Sequence, residues 1–354
     1  MGFAVAERSR SDRGRSRRPR PYRDRGGETV GVSEMSPRRI AISVGDPSGI
    51  GPEVLSKALP EFASHDIEFA IFCPRAFFEK LAEKFLWARD LTEFPRERVR
   101  FVDCFEPNWS EGFGEAEAIN GRFAMNSLEH AVEAVLAGEA DALVTAPLSK
   151  LIVEMAIGSG FRGHTEFLRE RSGADEIAMM LIADNLRVVP LTRHVPIADV
   201  PSMIDEASIV KAIEIIARAM IKFEKIRRPR IGVLALNPHA GDGGLFGTEE
   251  AIIDSAIDSV PPDVCEAVGP LVPDVAFIPD VREKFDAILG MFHDQVLIPL
   301  KMLGFDRGVN ATLGLPFVRT SPDHGTAFDI AGQDRANPSS MIEAIRLAIR
   351  WCDS

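Results

Sequence analysis

The sequence predicts an α/β protein built on a mostly parallel, mixed sheet with helices on both faces. From Arg39 onward, short β-rich runs alternate with longer runs of helical period. That alternation is the mark of parallel strands joined by crossover helices. Within "IAMMLIADNLRVVPLT" two β-rich runs meet across Asp184-Asn185, a hairpin signal that adds an antiparallel pair. The first strand is followed by "GDPSGIGPEV" (45–54), whose spacing is not GxGxxG, so a Rossmann dinucleotide fold is not expected.

The elements follow in order along the chain. "IAISVG" (40–45) reads as the first strand, with a helix starting near Gly51. "IEFAIF" (67–72) leads into the amphipathic "RAFFEKLAEKFL", and the strand "RVRFVDC" comes next. A helix over 115–137, rich in Ala and Glu, precedes the strand "ALVTAPL" (142–148). After the hairpin come a helix over 205–225, the strand "RIGVLAL" (230–236), a helix from Thr248 and the strand "DAILGMF" (286–292).

The chain of 354 residues carries a formal net charge of −12, which argues against nucleic acid as a partner. No apolar run approaches a membrane span; the most hydrophobic helix, "IVKAIEIIARAMIKFEKIRR", is broken by charges at helical spacing. The four cysteines (73, 104, 265 and 352) lack ligand-like spacing and read as reduced thiols of a cytoplasmic protein. Residues 1–38 differ in kind. Nine arginines fall within 8–25 with almost no apolar residues, so this arm cannot offset its chain entropy and should be disordered. It lacks the apolar face of an amphipathic presequence, and Met35, which runs directly into the first strand, is the preferred start.

The stretch "AILGMFHDQVLIPLK" (287–301) sets His293, Asp294 and Gln295 inside an apolar run, which is costly unless each group finds a partner. Ligands of open α/β sheets sit at the carboxyl ends of strands. Gly45-Asp46, Asn237-Pro238-His239 and His293 all fall there and suggest one shared site. Of seven histidines, His194, His239 and His293 lie at or just past strand ends, where neutral imidazoles can converge on one cation and leave positions open for substrate. Imidazole favours zinc, cobalt or similar metals over magnesium. Asp294, Asp274 and Asp242 are close in sequence and can orient the rings. "NPHAGDGGLFG" has four glycines in eleven residues, which lets the chain pass close to a ligand.

"GDPSGIGPEV" and "DHGTAFDIAGQDRANP" (323–338) resemble two marker segments of the β-decarboxylating dehydrogenases of the isocitrate and isopropylmalate type. With "GHTEFL", "NPHAGDGGLFG", "FHDQ", "PLK" and "VNATLGLPFVRTSPDHGTA", the chain from about residue 40 onward resembles the 4-hydroxythreonine-4-phosphate dehydrogenase family. The resemblance implies two α/β/α subdomains of isopropylmalate-dehydrogenase type, 39–157 with 331–354 and then 158–330, the latter carrying the metal and substrate site. It implies His194, His239 and His293 as ligands of zinc, cobalt or magnesium. His164, Thr165, Lys301, Asn310 and Arg319 correspond to substrate-binding residues, with Lys301, Asp274 and Asp294 in catalytic roles. His324, Gly325, Asp329 and Asn337 fall in the segment that holds NAD or NADP. It further implies a homodimer with its active site at the interface, so the three histidines need not come from one chain. Two departures from the family pattern stand out: Val296 replaces glycine after His-Asp-Gln, and "GPLVPDVAF" replaces a Pro-Ala-Asp-Thr run, with Asp274 kept.

The implied reaction is NAD-dependent oxidation and decarboxylation of 4-phosphohydroxy-L-threonine in pyridoxal 5'-phosphate synthesis. A relative acting on 4-phospho-threonate or 4-phospho-erythronate shares most motifs. A zinc hydrolase is the alternative from another class, against which the adenine-binding segment speaks, and a non-catalytic binder of phosphorylated metabolites is a third. A chain beginning at Met35 should match the full chain in melting temperature and kcat; a drop of several degrees would mean that the arm docks on the body.

Overall fold

The structure, a computed structural model, describes residues 37–103, 108–158 and 160–354. The expected arginine-rich arm lies outside the described residues up to Ser36, as does Cys104. The strands are β1 (Arg38–Ser43), β2 (Ile67–Phe72), β3 (Val99–Phe101), β4 (Ala142–Thr145), β5 (Ala178–Ala183) and β6 (Leu186–Thr192). They continue with β7 (Arg230–Leu234), β8 (Glu266–Leu271), β9 (Ala287–Phe292), β10 (Val309–Leu313) and β11 (Val318–Pro322). All eleven join one sheet in the order β3-β2-β1-β4-β11-β10-β5-β6-β9-β7-β8.

Seven of the ten pairings are parallel, so the mixed, mostly parallel α/β sheet read from the sequence is present. Its parallel strands are buried on both faces and therefore continuously apolar, as in β1, where Ile40, Ala41 and Ile42 are fully enclosed. The three antiparallel pairings are β11–β10, β10–β5 and β5–β6, all at the centre. The last is the hairpin expected at Asp184-Asn185, with Asp184 in a left-handed conformation (φ 49). One sheet runs through the residues of both expected subdomains, with β4 and β11 paired in parallel, and residues 37–354 form one compact unit.

The three reversals have a consequence that the strand-end reading missed. β6, β9, β7 and β8 run opposite to β1, β2, β3, β4 and β11. The carboxyl end of β1, with Gly45-Asp46, therefore lies at the other edge of the sheet from the ends of β7 and β9. Gly45-Asp46 packs instead on the segment after β4, the Asp46 N–H donating to the Pro147 carbonyl (2.9 Å). "RAFFEKLAEKFL" is also not one helix: it forms Arg75–Ala82 and then Leu86–Thr92, with Phe85 stacked on Trp87 between them. β8, β10 and β11 were not anticipated.

The strand β9 stops at Phe292, and the helix His293–Gly304 begins at once. Gln295 fastens this junction: its Oε1 accepts from the Met291 N–H (2.7 Å), and its Nε2 donates to the Ala235 carbonyl (2.8 Å). Val296 is fully buried beneath β9, in a place that exists only because residue 290 has no side chain. A Cβ on Gly290 would overlap Cγ1 of Val296. Gly290→Ala should therefore destabilise the fold by about 1–3 kcal/mol through overpacking. Adding Val296→Ala should return a good part of that loss in denaturant unfolding; an additive double variant would show that the two positions do not share this space.

Candidate active site

A cleft of about 430 Å³ lies over the antiparallel centre of the sheet. Its floor is made by alternate residues of the central strands: Met179 and Leu181 of β5, Asn310 of β10, Arg319 and Ser321 of β11. One wall comes from the segments after β4 and β11, including Lys150 and His324. The other comes from His194, beyond β6, and from His293, Leu297 and Lys301, four residues apart on one face of their helix.

Arg319 is 2% exposed. Its Nη2 donates to Thr145 Oγ1 (2.6 Å) and its Nη1 to Thr312 Oγ1 (3.0 Å), which ties β11 to its neighbours on both sides. Burial pushes this guanidinium down to about 9, so it remains charged at neutral pH. His164 opens the helix His164–Ser172. Burial first, then the charges of Arg319 and Lys150, hold its imidazole well below the ordinary histidine range. Burial likewise lowers His324, and burial with the Lys150 charge lowers His194. Neutral rings are thereby kept available as ligands or as hydrogen-bond acceptors.

Four buried polar atoms of cleft residues have no protein partner: His164 Nε2, Asn310 Oδ1, Arg319 Nε and His324 Nε2. Orphans of this kind are costly, and their concentration in one cleft marks a ligand site. Lys301 is anchored: its Nζ donates to Asp323 Oδ2 (2.7 Å) and to the Asp323 carbonyl (3.1 Å). Asp323 is itself held by donation from its N–H to Ser340 Oγ (3.0 Å).

Among the expected metal ligands, His194 and His293 converge, with ring centroids 6.1 Å apart. His293 Nδ1 meets Asp294 Oδ1 at 2.6 Å, so Nδ1 is engaged by this carboxylate. His239 does not line the cleft. It sits exposed beyond β7, its ring 6.3 Å from that of Phe246, on a loop where His239, Ala240 and Asp242 all adopt left-handed backbone (φ 54, 51 and 43). Such conformations cost energy in non-glycine residues and gather at functional sites. Glu250 braces the loop by accepting from the N–H and Nδ2 of Asn237. Within one chain, and among the described residues, no three His, Cys, Asp or Glu side chains close around a metal. The donor set fits a divalent cation only in part, with two imidazoles at this cleft and the third outside it.

Other expected residues are dispersed. Thr165 and Gly325 line the cleft. Asp274 is exposed on the short helix Pro273–Ala276, which packs against the His239 loop. Asp329 and Asn337 are exposed and outside the cleft; Asn337 Oδ1 accepts from the N–H and Oγ of Ser339 at the start of the helix Ser339–Cys352. The two marker segments dock together, Ile50 N–H on the Thr326 carbonyl (3.0 Å) and Ala336 N–H on Glu53 Oε1 (2.8 Å). Sequence reasoning missed Thr145, Lys150, Glu166 and Asp323. For Thr145 the signal was its place at the end of "ALVT"; for Asp323 nothing in the linear pattern distinguished it.

The family described as "Pyridoxal phosphate biosynthetic protein PdxA" matches residues 54–348. The chain belongs to that family. A 4-hydroxythreonine-4-phosphate dehydrogenase from Sulfurihydrogenibium sp. is 41% identical over 319 residues, 88% of this chain and 97% of that one. One from Aquifex aeolicus is 40% identical over 314 residues, again 88% and 97%. Among solved structures, 4-hydroxythreonine-4-phosphate dehydrogenase from Klebsiella pneumoniae superposes with a TM-score of 0.75 at 34% identity, covering 89% of this chain and 99% of that one. A terephthalate 1,2-cis-dihydrodiol dehydrogenase from Burkholderia xenovorans also superposes, with a TM-score of 0.61 at 26% identity, covering 88% and 98%. Membership of the PdxA family makes the protein an oxidoreductase of pyridoxal phosphate biosynthesis, and a dehydrogenase family implies a nicotinamide cofactor. No helix of the described residues is long and apolar enough to cross a membrane.

Asp46, in the first marker segment, is fully buried. Its Oδ1 accepts from the Ser48 N–H (2.9 Å), while Oδ2 has no partner. Burial raises its carboxyl from 3.8 to about 6. A raised folded-state value favours folding fully below pH 3.8, and that contribution is lost as pH rises through 6. Ionised Asp46 therefore costs about 3 kcal/mol at neutral pH. Asp46→Asn should melt higher than the natural protein at pH 8 and lose that advantage by pH 4. A difference independent of pH would mean that Asp46 is not ionised and unpaired in the folded chain.

Proposed function

We propose that the protein oxidises 4-phosphohydroxy-L-threonine at C3 to 2-amino-3-oxo-4-phosphooxybutanoate, which loses CO2 to give 3-amino-2-oxopropyl phosphate. The supporting observation is the cleft in which His164, Asn310, Arg319 and His324 present unpartnered buried polar atoms above an anchored Lys301. The curated relatives carry the name of this activity. His194 and His293, with His239 of the partner subunit, would hold a divalent cation (zinc, cobalt or magnesium). When bound, that cation would supply Lewis acidity and NAD or NADP a hydride acceptor.

The chain's own residues then bind and orient. Arg319, Asn310 and Lys301 place fixed positive charge and hydrogen bonds against the anionic substrate. His164 and Thr165 close on it from the opposite wall. Asp294 holds His293 in the tautomer that leaves Nε2 free. Asp323 keeps the Lys301 ammonium aimed into the cleft, where its Nζ can deliver a proton to the carbon that CO2 leaves. His324 and Gly325 offer a polar atom and an open backbone to the cofactor, with Asp329 and Asn337 further along the same segment. Asp274 packs beside His239 and would come to the site with it.

The reading includes a cytoplasmic homodimer. Its support is the exposed apolar surface beside the metal residues: Ile298 (60%), Met302 (82%) and Phe305 (72%) follow His293, and Leu245 and Phe246 follow His239. Apolar surface of this kind marks an interaction site. The division into 39–157 with 331–354 and 158–330 belongs to the same proposal, with the cleft along the join.

The test is NAD or NADP reduction with 4-phosphohydroxy-L-threonine, 4-phospho-threonate and 4-phospho-erythronate, before and after chelation. Turnover is expected with the first and its loss on chelation; preference for either acid would reassign the substrate. His239→Ala and His293→Ala should each stay folded and lose metal and activity. Mixed one to one and reassorted at random, they should regain about a quarter of the natural activity, because about half of the dimers are heterodimers and each of these has one intact site of two. No recovery from chains shown to exchange would place all three histidines in one subunit.

A further inference from the structure

Three permanent cations line the cleft, and they are not equivalent. Lys301 is neutralised by Asp323 at 2.7 Å. Arg319 is buried and directs one N–H of each terminal nitrogen to a threonine hydroxyl, while its Nε has no partner. Lys150 makes no ion pair or hydrogen bond through its ammonium among the described residues. Glu166, which also lines the cleft, pairs with Arg193 at 3.9 Å rather than with Lys150.

The backbone around Lys150 is built to leave its side chain room. Lys150 begins the helix Lys150–Ile157, whose start is fixed by Ser149 Oγ accepting from the Ile152 N–H. Gly163, immediately before His164, passes beside it with φ +138. A Cβ there would lie 3.0 Å from Lys150 Cε and 3.5 Å from Nζ. Glycine is thus required twice, by the backbone angle and by the lysine. On the same wall, His164 Nε2 is buried without a partner.

We propose that Lys150 is the phosphate anchor of the substrate, with His164 Nε2 at the same group. The inference rests on the reading that the substrate is phosphorylated. A phosphate dianion is the strongest charge on such a molecule, and on the Lys150 wall an ammonium without an ion pair and a partnerless ring nitrogen can take it, whereas Lys301 is already paired and Arg319 lies buried in the floor between two threonines. Lys301 and Arg319 are then left to the carboxylate end and to the reacting carbons. Burial first, with the Arg319 and Lys150 charges, lowers the His164 imidazole, and a neutral ring accepts or donates one hydrogen bond at each nitrogen.

The experiment compares the natural enzyme with Lys150→Met and Lys150→Arg, first checking that their melting curves coincide. With 4-phosphohydroxy-L-threonine, Lys150→Met should lower kcat/KM about ten- to a hundredfold, chiefly through KM, and Lys150→Arg should recover much of it. KM for the nicotinamide cofactor should not move. With 4-hydroxy-L-threonine, which lacks the phosphate, the natural enzyme and Lys150→Met should perform alike. Calorimetric titration with inorganic phosphate alone should show binding weakened about tenfold in Lys150→Met. Equal losses on both substrates would assign Lys150 to the carboxylate, and a rise in cofactor KM would assign it to the cofactor; either overturns the proposal. If the natural enzyme turns over none of the phosphorylated substrates, the functional reading fails separately, and the phosphate titration still decides Lys150: undiminished binding, or none in the natural protein, overturns it.

Discussion

A guanidinium buried in the middle of a sheet without a carboxylate is the constraint around which this structure is arranged. Arg319 cannot be left uncompensated, because an unpaired buried charge is among the most expensive features a fold can carry. Two threonine hydroxyls, one from the strand on each side, take its terminal nitrogens. That solution explains why Thr145 ends the otherwise apolar strand β4 and why Thr312 lies buried in β10. It also leaves net positive potential beneath the cleft, so an anion entering there completes the electrostatics of the protein itself. Rings close to this charge stay neutral, which is the form in which imidazole serves as a ligand.

Other parts of the site give up stability in the same way. The His239 loop holds three non-glycine residues in left-handed conformations, and Glu250 is committed to bracing it. Asp46 keeps a carboxylate oxygen in the dark without a partner. Large apolar side chains remain exposed beside both His293 and His239. Each of these would be removed by selection for stability alone, and each lies in a segment that the family pattern marks.

The alternation of elements was legible in the sequence because parallel strands are buried on both faces and therefore read as plain apolar runs. The same logic explains the omissions. β10 and β11 carry Asn310, Arg319 and Ser321 at the cleft and Thr312 beneath it, so "VNATL" and "VRTSP" do not look like core strands. The two reversals they make cancel, so the hairpin at Asp184-Asn185 alone sets β9 against β1, a consequence not carried into the placement of their carboxyl ends. His293 stood out because it breaks an apolar run, and Arg319 because apolar residues deliver it. Lys150 and Asp323 carry no such contrast with their neighbours; their roles come from what lies across the cleft, which linear spacing cannot express. His239 is the intermediate case, since its glycine-rich setting was visible but the direction of its loop was not.

The central position of β10 and β11 also governs how the chain comes together during synthesis. They are the last strands to emerge, yet they lie between β4 and β5. Until residue 322 is available, the β3-β2-β1-β4 ribbon and the β5-β6-β9-β7-β8 ribbon have no strand between them, and each presents an open edge at its inner side. Pairings of such long sequence separation form slowly, and unpaired edges recruit other chains. A nascent or truncated chain lacking the final strands is thus two sheets waiting for one insert, and the interval before that insert arrives is when a chaperone has most to protect.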